Sequence, residues 1–81
     1  MITEINEAIE VGAVFRRAGL RPVWFVWRGR KYSVEQVTYR WKERRGEAWL
    51  HSFSVFDGLH TFELNYDSTL LQWRIGRVSA E

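Results

Sequence analysis

The stretch RPVWFVWRGRKYSVEQVTYRW, Arg21 to Trp41, decides the fold. It is dense in β-branched and aromatic residues, carries no helix cap, and is interrupted by Arg28-Gly29 where apolar and polar residues alternate on both sides. Two strands joined by a tight turn follow. Such a hairpin sets Trp27 opposite Arg30, Phe25 opposite Tyr32 and Val23 opposite Val34 on an inner face. The other face then carries Trp24 opposite Ser33 and Val26 opposite Lys31. Pro22, which has no N–H to donate, suits the first position of its strand.

Beyond Val34 the alternation changes phase, from Tyr32 and Val34 to Val37, Tyr39 and Trp41. One extra residue near Glu35-Gln36 absorbs the slip as a β-bulge, which bends the strand. In that arrangement Val37, Tyr39 and Trp41 point inward, and Arg40 and Lys42 point outward. A helix using Val34, Val37 and Trp41 is the competing reading, but Val, Thr and Tyr are poor helix formers.

Working outward from this stretch, Ile9, Val11, Ala13 and Phe15 alternate with Glu10, Gly12, Val14 and Arg16 as a half-buried strand. Gly12 within it signals a bulge or a close backbone approach. Residues 1–8 form an N-terminal lead-in, either a short helix by the Ile2, Ile5, Ile9 spacing or a mobile segment. On the other side, Lys42 to Glu47 is fully charged apart from Gly46 and predicts a solvated loop. Asp57-Gly58 is a type I′ dipeptide. Pairing about it sets Phe53 opposite Phe62, Val55 opposite His60, His51 opposite Leu64 and Trp49 opposite Tyr66. The opposite face receives Ser54 with Thr61, Ser52 with Glu63 and Leu50 with Asn65. After a turn at Asp67-Ser68-Thr69, Leu71, Trp73 and Ile75 alternate in a last strand ending near Val78. The expected fold is all-β: five or six antiparallel strands in a meander over residues 9–81, a single β domain with a strongly bent sheet or an SH3-like, partly open barrel.

Composition agrees with a small aromatic core. A chain of 81 residues buries only about 60 to 65% of its unfolded surface, so large side chains must do most of the stabilising. Five Trp, five Phe and three Tyr supply them. There are no cysteines, which excludes disulfides and thiolate metal sites and fits a reducing cytoplasm. No apolar run has the roughly 20 residues of a membrane helix, and the acidic start MITEINEAIE is unlike a signal peptide. The net charge of +2 is unevenly spread, with ten of the twelve bases between Arg16 and Arg45 against only Glu35 and Glu43 there.

The order Arg-Pro, Trp-Phe-Val-Trp-Arg-Gly-Arg, Tyr32-Ser33-Val34, Asp57-Gly58 and Glu63-Leu64-Asn65-Tyr66-Asp67, closing on Trp73-Arg74-Ile75, resembles a family of small uncharacterised bacterial domains. Members of that family sometimes accompany translesion DNA polymerases of the Y family. The resemblance covers about Ile9 to Val78 and rests on aromatic and turn positions, so what it implies is chiefly the fold. It carries no catalytic residue.

No motif specifies a reaction. His51 and His60 are the only candidate general bases for a nucleophile, and both share the apolar face of their hairpin. Asp57, His60, Glu63 and Asp67 are close in sequence, but His60 and Glu63 lie on opposite faces, so no metal site is expected. No glycine-rich phosphate loop is present, and no cofactor is implied. The expected function is a non-catalytic binding domain, for nucleic acid or a nucleic-acid-processing protein, with no membrane role. Its surface would comprise Trp24, Val26, Arg28, Arg30, Lys31, Arg40, Lys42, Arg44 and Arg45. The alternative is a protein-interaction module, in which a homodimer buries the Trp24 and Val26 patch.

Overall fold

The computed structural model describes residues 1–79; the last two residues of the expected 9–81 span lie outside the described residues. Seven antiparallel strands form one sheet: β1 (Ile2–Arg16), β2 (Gly19–Trp27), β3 (Arg30–Ser33), β4 (Gln36–Arg45), β5 (Ala48–Phe56), β6 (Thr61–Asp67) and β7 (Gln72–Ser79). Their order across the sheet is β3-β2-β1-β7-β6-β5-β4. None of the described residues forms a helix long and apolar enough to cross a membrane.

The strands differ from the expected five or six in two ways, of which the second, the break of one expected strand into β3 and β4, raises the count to seven. Residues 2–8 are neither helix nor lead-in: they are the first half of β1, which pairs with β7 from Ile2 to Ile9 and with β2 from Glu10 to Arg16. A 15-residue strand shared between two partners must bend. It does so at Asn6, which has a φ of 56°, and at a register shift after Gly12. The second difference, which adds the seventh strand, lies at Val34-Glu35, where the expected single bulged strand is broken. The Val34 N–H donates to Val23 O at 3.0 Å, whereas the Glu35 N–H donates to Phe56 O at 2.9 Å. Consecutive residues thus bond to strands on opposite sides of the sheet order. The chain crosses from one edge, β3, to the other, β4, in two residues, so the sheet has to curl until its edges adjoin there.

The core lies on the inner face of this curl. Phe25, Phe53, Val55, Phe62, Leu64 and Ile75 are buried, with Trp27, Tyr32, Val34, Val37 and Trp73 packed around them. Phe25 stacks on Tyr32 and meets Phe62 edge-on, both at 5.0 Å between centroids. Such pairs add about 0.5 to 1.5 kcal/mol beyond area burial. The β2–β3 hairpin has the expected register, Trp27 with Arg30, Val26 with Lys31, Phe25 with Tyr32 and Trp24 with Ser33. Its turn uses positive φ at both central residues, 53° at Arg28 and 77° at Gly29, as a type I′ turn requires.

The β5–β6 hairpin differs by two residues from the expected pairing. Phe53 faces Leu64, Val55 faces Phe62 and His51 faces Tyr66. Asp57 is the cause. Its Oδ1 accepts from the N–H groups of Leu59 and His60 at 2.8 and 2.7 Å, and its own N–H donates to His60 O. The loop therefore spans Asp57 to His60. An even shift leaves each side chain on its expected face but changes its neighbour.

Candidate functional site

A second irregularity, between Val37 and Tyr39, reverses the faces of β4. Beyond it Tyr39 pairs with Ser54, Arg40 with Phe53, Trp41 with Ser52, Lys42 with His51 and Arg44 with Trp49. Directly paired residues share a face. Tyr39 and Trp41 therefore stand on the face away from the core, and Tyr39 is exposed. Arg40 and Lys42, expected outward, join Arg44 on the core side, together with Phe53, His51 and Trp49.

These three cations form a row with rings beside it. The Arg40 guanidinium lies 5.5 Å from the Phe53 centroid, and Lys42 Nζ and the Arg44 guanidinium lie 5.2 and 5.4 Å from that of Trp49. Arg40 also donates to Leu20 O at 2.6 Å, tying the β4 edge to the start of β2, next to the turn at Arg17 and Ala18. Among the described residues no carboxylate lies within 4.0 Å of Arg40, Lys42 or Arg44. A cavity of about 390 Å³ lies elsewhere, but one of about 280 Å³ opens here, lined by Leu20, Arg40, Lys42, His51 and Phe53 among others. The rings continue across the sheet: His51 to Tyr66 at 6.3 Å, then Tyr66 to Trp73 at 4.9 Å.

The other nominated residues do not join this row. Trp24, Val26 and Lys31 sit on the outer face of β2 and β3. Trp24 is half-buried because its indole lies on Gly12, so the group that approaches Gly12 is a side chain and not the expected backbone, while the expected bulge is the register shift beside it; Lys31 Nζ caps the ring at 4.8 Å. Arg28 is held by Glu7, whose carboxylate accepts from Arg28 NH2 at 2.7 Å and Nε at 3.3 Å, and from Trp27 Nε1 at 3.0 Å. The Arg28 and Trp27 hydrogen bonds hold the Glu7 carboxyl below its ordinary range, and Glu7 in turn raises Arg28. Arg30 lies over Tyr32 at 5.5 Å. Arg45 faces away from the row, 3.9 Å from Glu43.

The 390 Å³ cavity lies on the opposite face and was not visible in the sequence. Glu4, Asn6, Trp41, Glu43, Arg45, Glu63, Asn65, Gly76 and Arg77 line it. The expected Ser52–Glu63 pair does not form. Asn65 instead donates to Ser52 Oγ at 2.8 Å and to Glu63 Oε2 at 3.2 Å, and Ser52 is buried. Arg77 bridges Glu63 at 3.3 Å and Glu4 at 3.5 Å. The arrangement depends on Gly76, which interrupts the β6–β7 register so that Arg77, not Gly76, faces Glu63. A Cβ there would come within 2.6 Å of Asn65 Oδ1 and Glu63 Oε2. The phase change from Ile75 to Val78 was the one signal for this bulge. The polar groups of the trough largely satisfy one another, so it is a less open binding surface than the β4 row.

The two histidines pack against rings, His51 against Tyr66 and His60 against Phe62, each at 6.3 Å. Among the described residues no group of three or more His, Cys, Asp or Glu is placed to hold a metal ion.

No curated protein and no solved structure matches the chain. Residues 1–69 do match a domain family, a span that includes the first eight residues, which lay outside the sequence resemblance, and that stops before β7. The chain belongs to that family, the domain of unknown function DUF6504.

Proposed function

We propose that this domain is a non-catalytic nucleic-acid-binding module whose contact surface is the Arg40, Lys42 and Arg44 row of β4 with Trp49 beside it. The observation that carries this reading is the row itself: three cations at alternate positions of one strand, none paired with a carboxylate among the described residues, and two of them on an exposed indole. Arg and Lys neutralise phosphates, and adjacent rings offer stacking to bases. Charged residues also guard sheet edges against pairing with other chains. Guarding alone requires neither the rings nor the cavity beside Leu20. The curl that joins β3 to β4 supports an SH3-like, partly open barrel as the architecture. The resemblance to domains that accompany Y-family polymerases makes a DNA-repair accessory role in a bacterial cytoplasm the first context to test.

Fluorescence anisotropy with labelled oligonucleotides at low salt tests the proposal. Three phosphate contacts give a slope of log affinity against log salt of about −2 to −3, a loss of roughly 20- to 40-fold between 50 and 200 mM salt. The R40A/K42A/R44A variant should lose both the affinity and the slope. An unchanged affinity in that variant would refute the assignment.

A protein partner is the second reading, favoured by the ten-residue β4 edge and by exposed Tyr39 stacked on Trp41 at 5.6 Å. Antiparallel pairing of two β4 strands would bring bases against bases, so such a partner would carry acidic residues. Light scattering that shows a salt-independent dimer would favour self-association through another surface, such as the one around Trp24.

A further inference from the structure

We infer that the ligand of the β4 face is single-stranded and that Trp49 is the ring on which one of its unpaired bases stacks; this rests on the nucleic-acid reading of that face. Trp49 is the one exposed ring of the row, at 43%, while His51, Tyr66 and Trp73 are half-buried. Large exposed rings are costly to leave in water, and this one is held at the start of β5 by the pairing of Ala48 and Trp49 with Arg45 and Arg44. Lys42 and Arg44 lie over it. Cation–ring contacts at exposed sites are weak, so a base can displace the two cations from the indole while both move onto the flanking phosphates. Ring and charges then act together on one nucleotide.

The shape of the face argues against a duplex. The cavity beside the row is about 280 Å³, near the lower limit for a small-ligand pocket, and Lys42, which lines it with Leu20, Arg40, His51 and Phe53, also lies over the Trp49 indole, so the cavity adjoins that ring without including it. A single ring with its sugar fits such a space. A duplex keeps its bases stacked on each other and offers only its backbone, leaving Trp49 without a partner. Stacking uses base faces, not edges, so little sequence preference is expected.

The test compares three probes, a short oligothymidylate, a duplex of the same length and inorganic polyphosphate, on the wild-type chain and on Trp49→Ala and Trp49→Phe. Trp49→Ala should weaken the oligothymidylate by roughly 5- to 150-fold, the effect of losing one stacked base, and leave polyphosphate unchanged. Trp49→Phe should keep most of the affinity. Unchanged polyphosphate binding also reports that the variant is folded. Equal binding of single strand and duplex, or a Trp49→Ala loss that is absent or the same for polyphosphate, overturns the inference and leaves the phosphate-binding reading standing. Failure of the wild type to bind any of the three overturns both.

Discussion

Replacing Gly12 by Ala should destabilise the fold through one contact, the Trp24 indole. A Cβ built at Gly12 falls 2.6 Å from Trp24 Cζ2 and closer still to Cε2 and Nε1. Ordinary contact distances begin near 3.4 Å, so the ring must retreat by about an ångström. Trp24 cannot do this by a small torsion, since three atoms of a rigid ring clash at once. Either β1 and β2 separate locally or the indole swings into solvent, giving up its cover and its contact with Lys31. Overpacking of this kind costs about 1 to 3 kcal/mol. In a domain of this size that lowers Tm by roughly 4 to 24 °C. Gly12 is not among the glycines with positive φ, so the backbone accepts Ala and the loss comes from the clash, set against a gain of about 0.4 to 1 kcal/mol from the smaller entropy of the unfolded chain. The decisive assay is a double-mutant cycle by urea denaturation. In a Trp24→Ala background the Gly12→Ala change should be neutral or stabilising by up to about 1 kcal/mol, since the clash has gone. Equal losses in both backgrounds, or a Gly12→Ala chain as stable as the parent, would refute the reasoning.

Other outcomes follow from named contacts. Glu7 has a lowered carboxyl pKa, caused first by the Arg28 hydrogen bond and then by that of Trp27. A depressed folded-state value stabilises the fold above the ordinary glutamate value of 4.5 and ceases to do so as pH falls through the lower one. Thermal melts of the parent and of Glu7→Gln should therefore differ near neutral pH and converge in acid; a gap that is constant with pH would show that Glu7 stabilises by something other than its charge. Asp57 and Asp67 each accept two backbone N–H bonds in their turns. Asp57→Ala and Asp67→Ala should each cost about 1 kcal/mol, and additively, because the two turns are at opposite ends of β6. Denaturant midpoints of the two single variants and the double variant check both statements.

The parts of the fold that the sequence revealed are those set by local chemistry. Arg28-Gly29 admits one tight turn, and the register of β2 against β3 followed from it without reference to the rest of the chain. Asp57-Gly58 looked equally decisive, yet the Asp57 carboxylate stabilised a longer loop than the dipeptide suggested. The faces survived because the shift was even, whereas the cross-strand partners did not. At β4 the error was odd, and an odd slip exchanges the two faces. Tyr39 and Trp41 form as good an apolar stripe as a buried strand would show, so the alternation pointed inward with the wrong residues. What decides the matter is that β4 is an edge, and edge position depends on where residues 34 and 35 find their acceptors, Val23 and Phe56, which are far apart in sequence.

That one slip also relocated the candidate site. With Arg40 and Lys42 outward, the only ring in reach of the bases was Trp24, and the surface had to span β2, β3 and β4. With them on the core side, the bases meet Trp49 and Phe53 across a single strand pair, and Trp24 becomes packing on Gly12. The consequence is testable on the same binding curve. Removing Lys31, which caps Trp24 on the far face, should leave oligonucleotide affinity and salt slope unchanged, whereas removing Lys42 should reduce the slope by about one phosphate contact. Equal effects of Lys31→Ala and Lys42→Ala would mean that the ligand spans both faces, and the β4 row would no longer be sufficient to define the site.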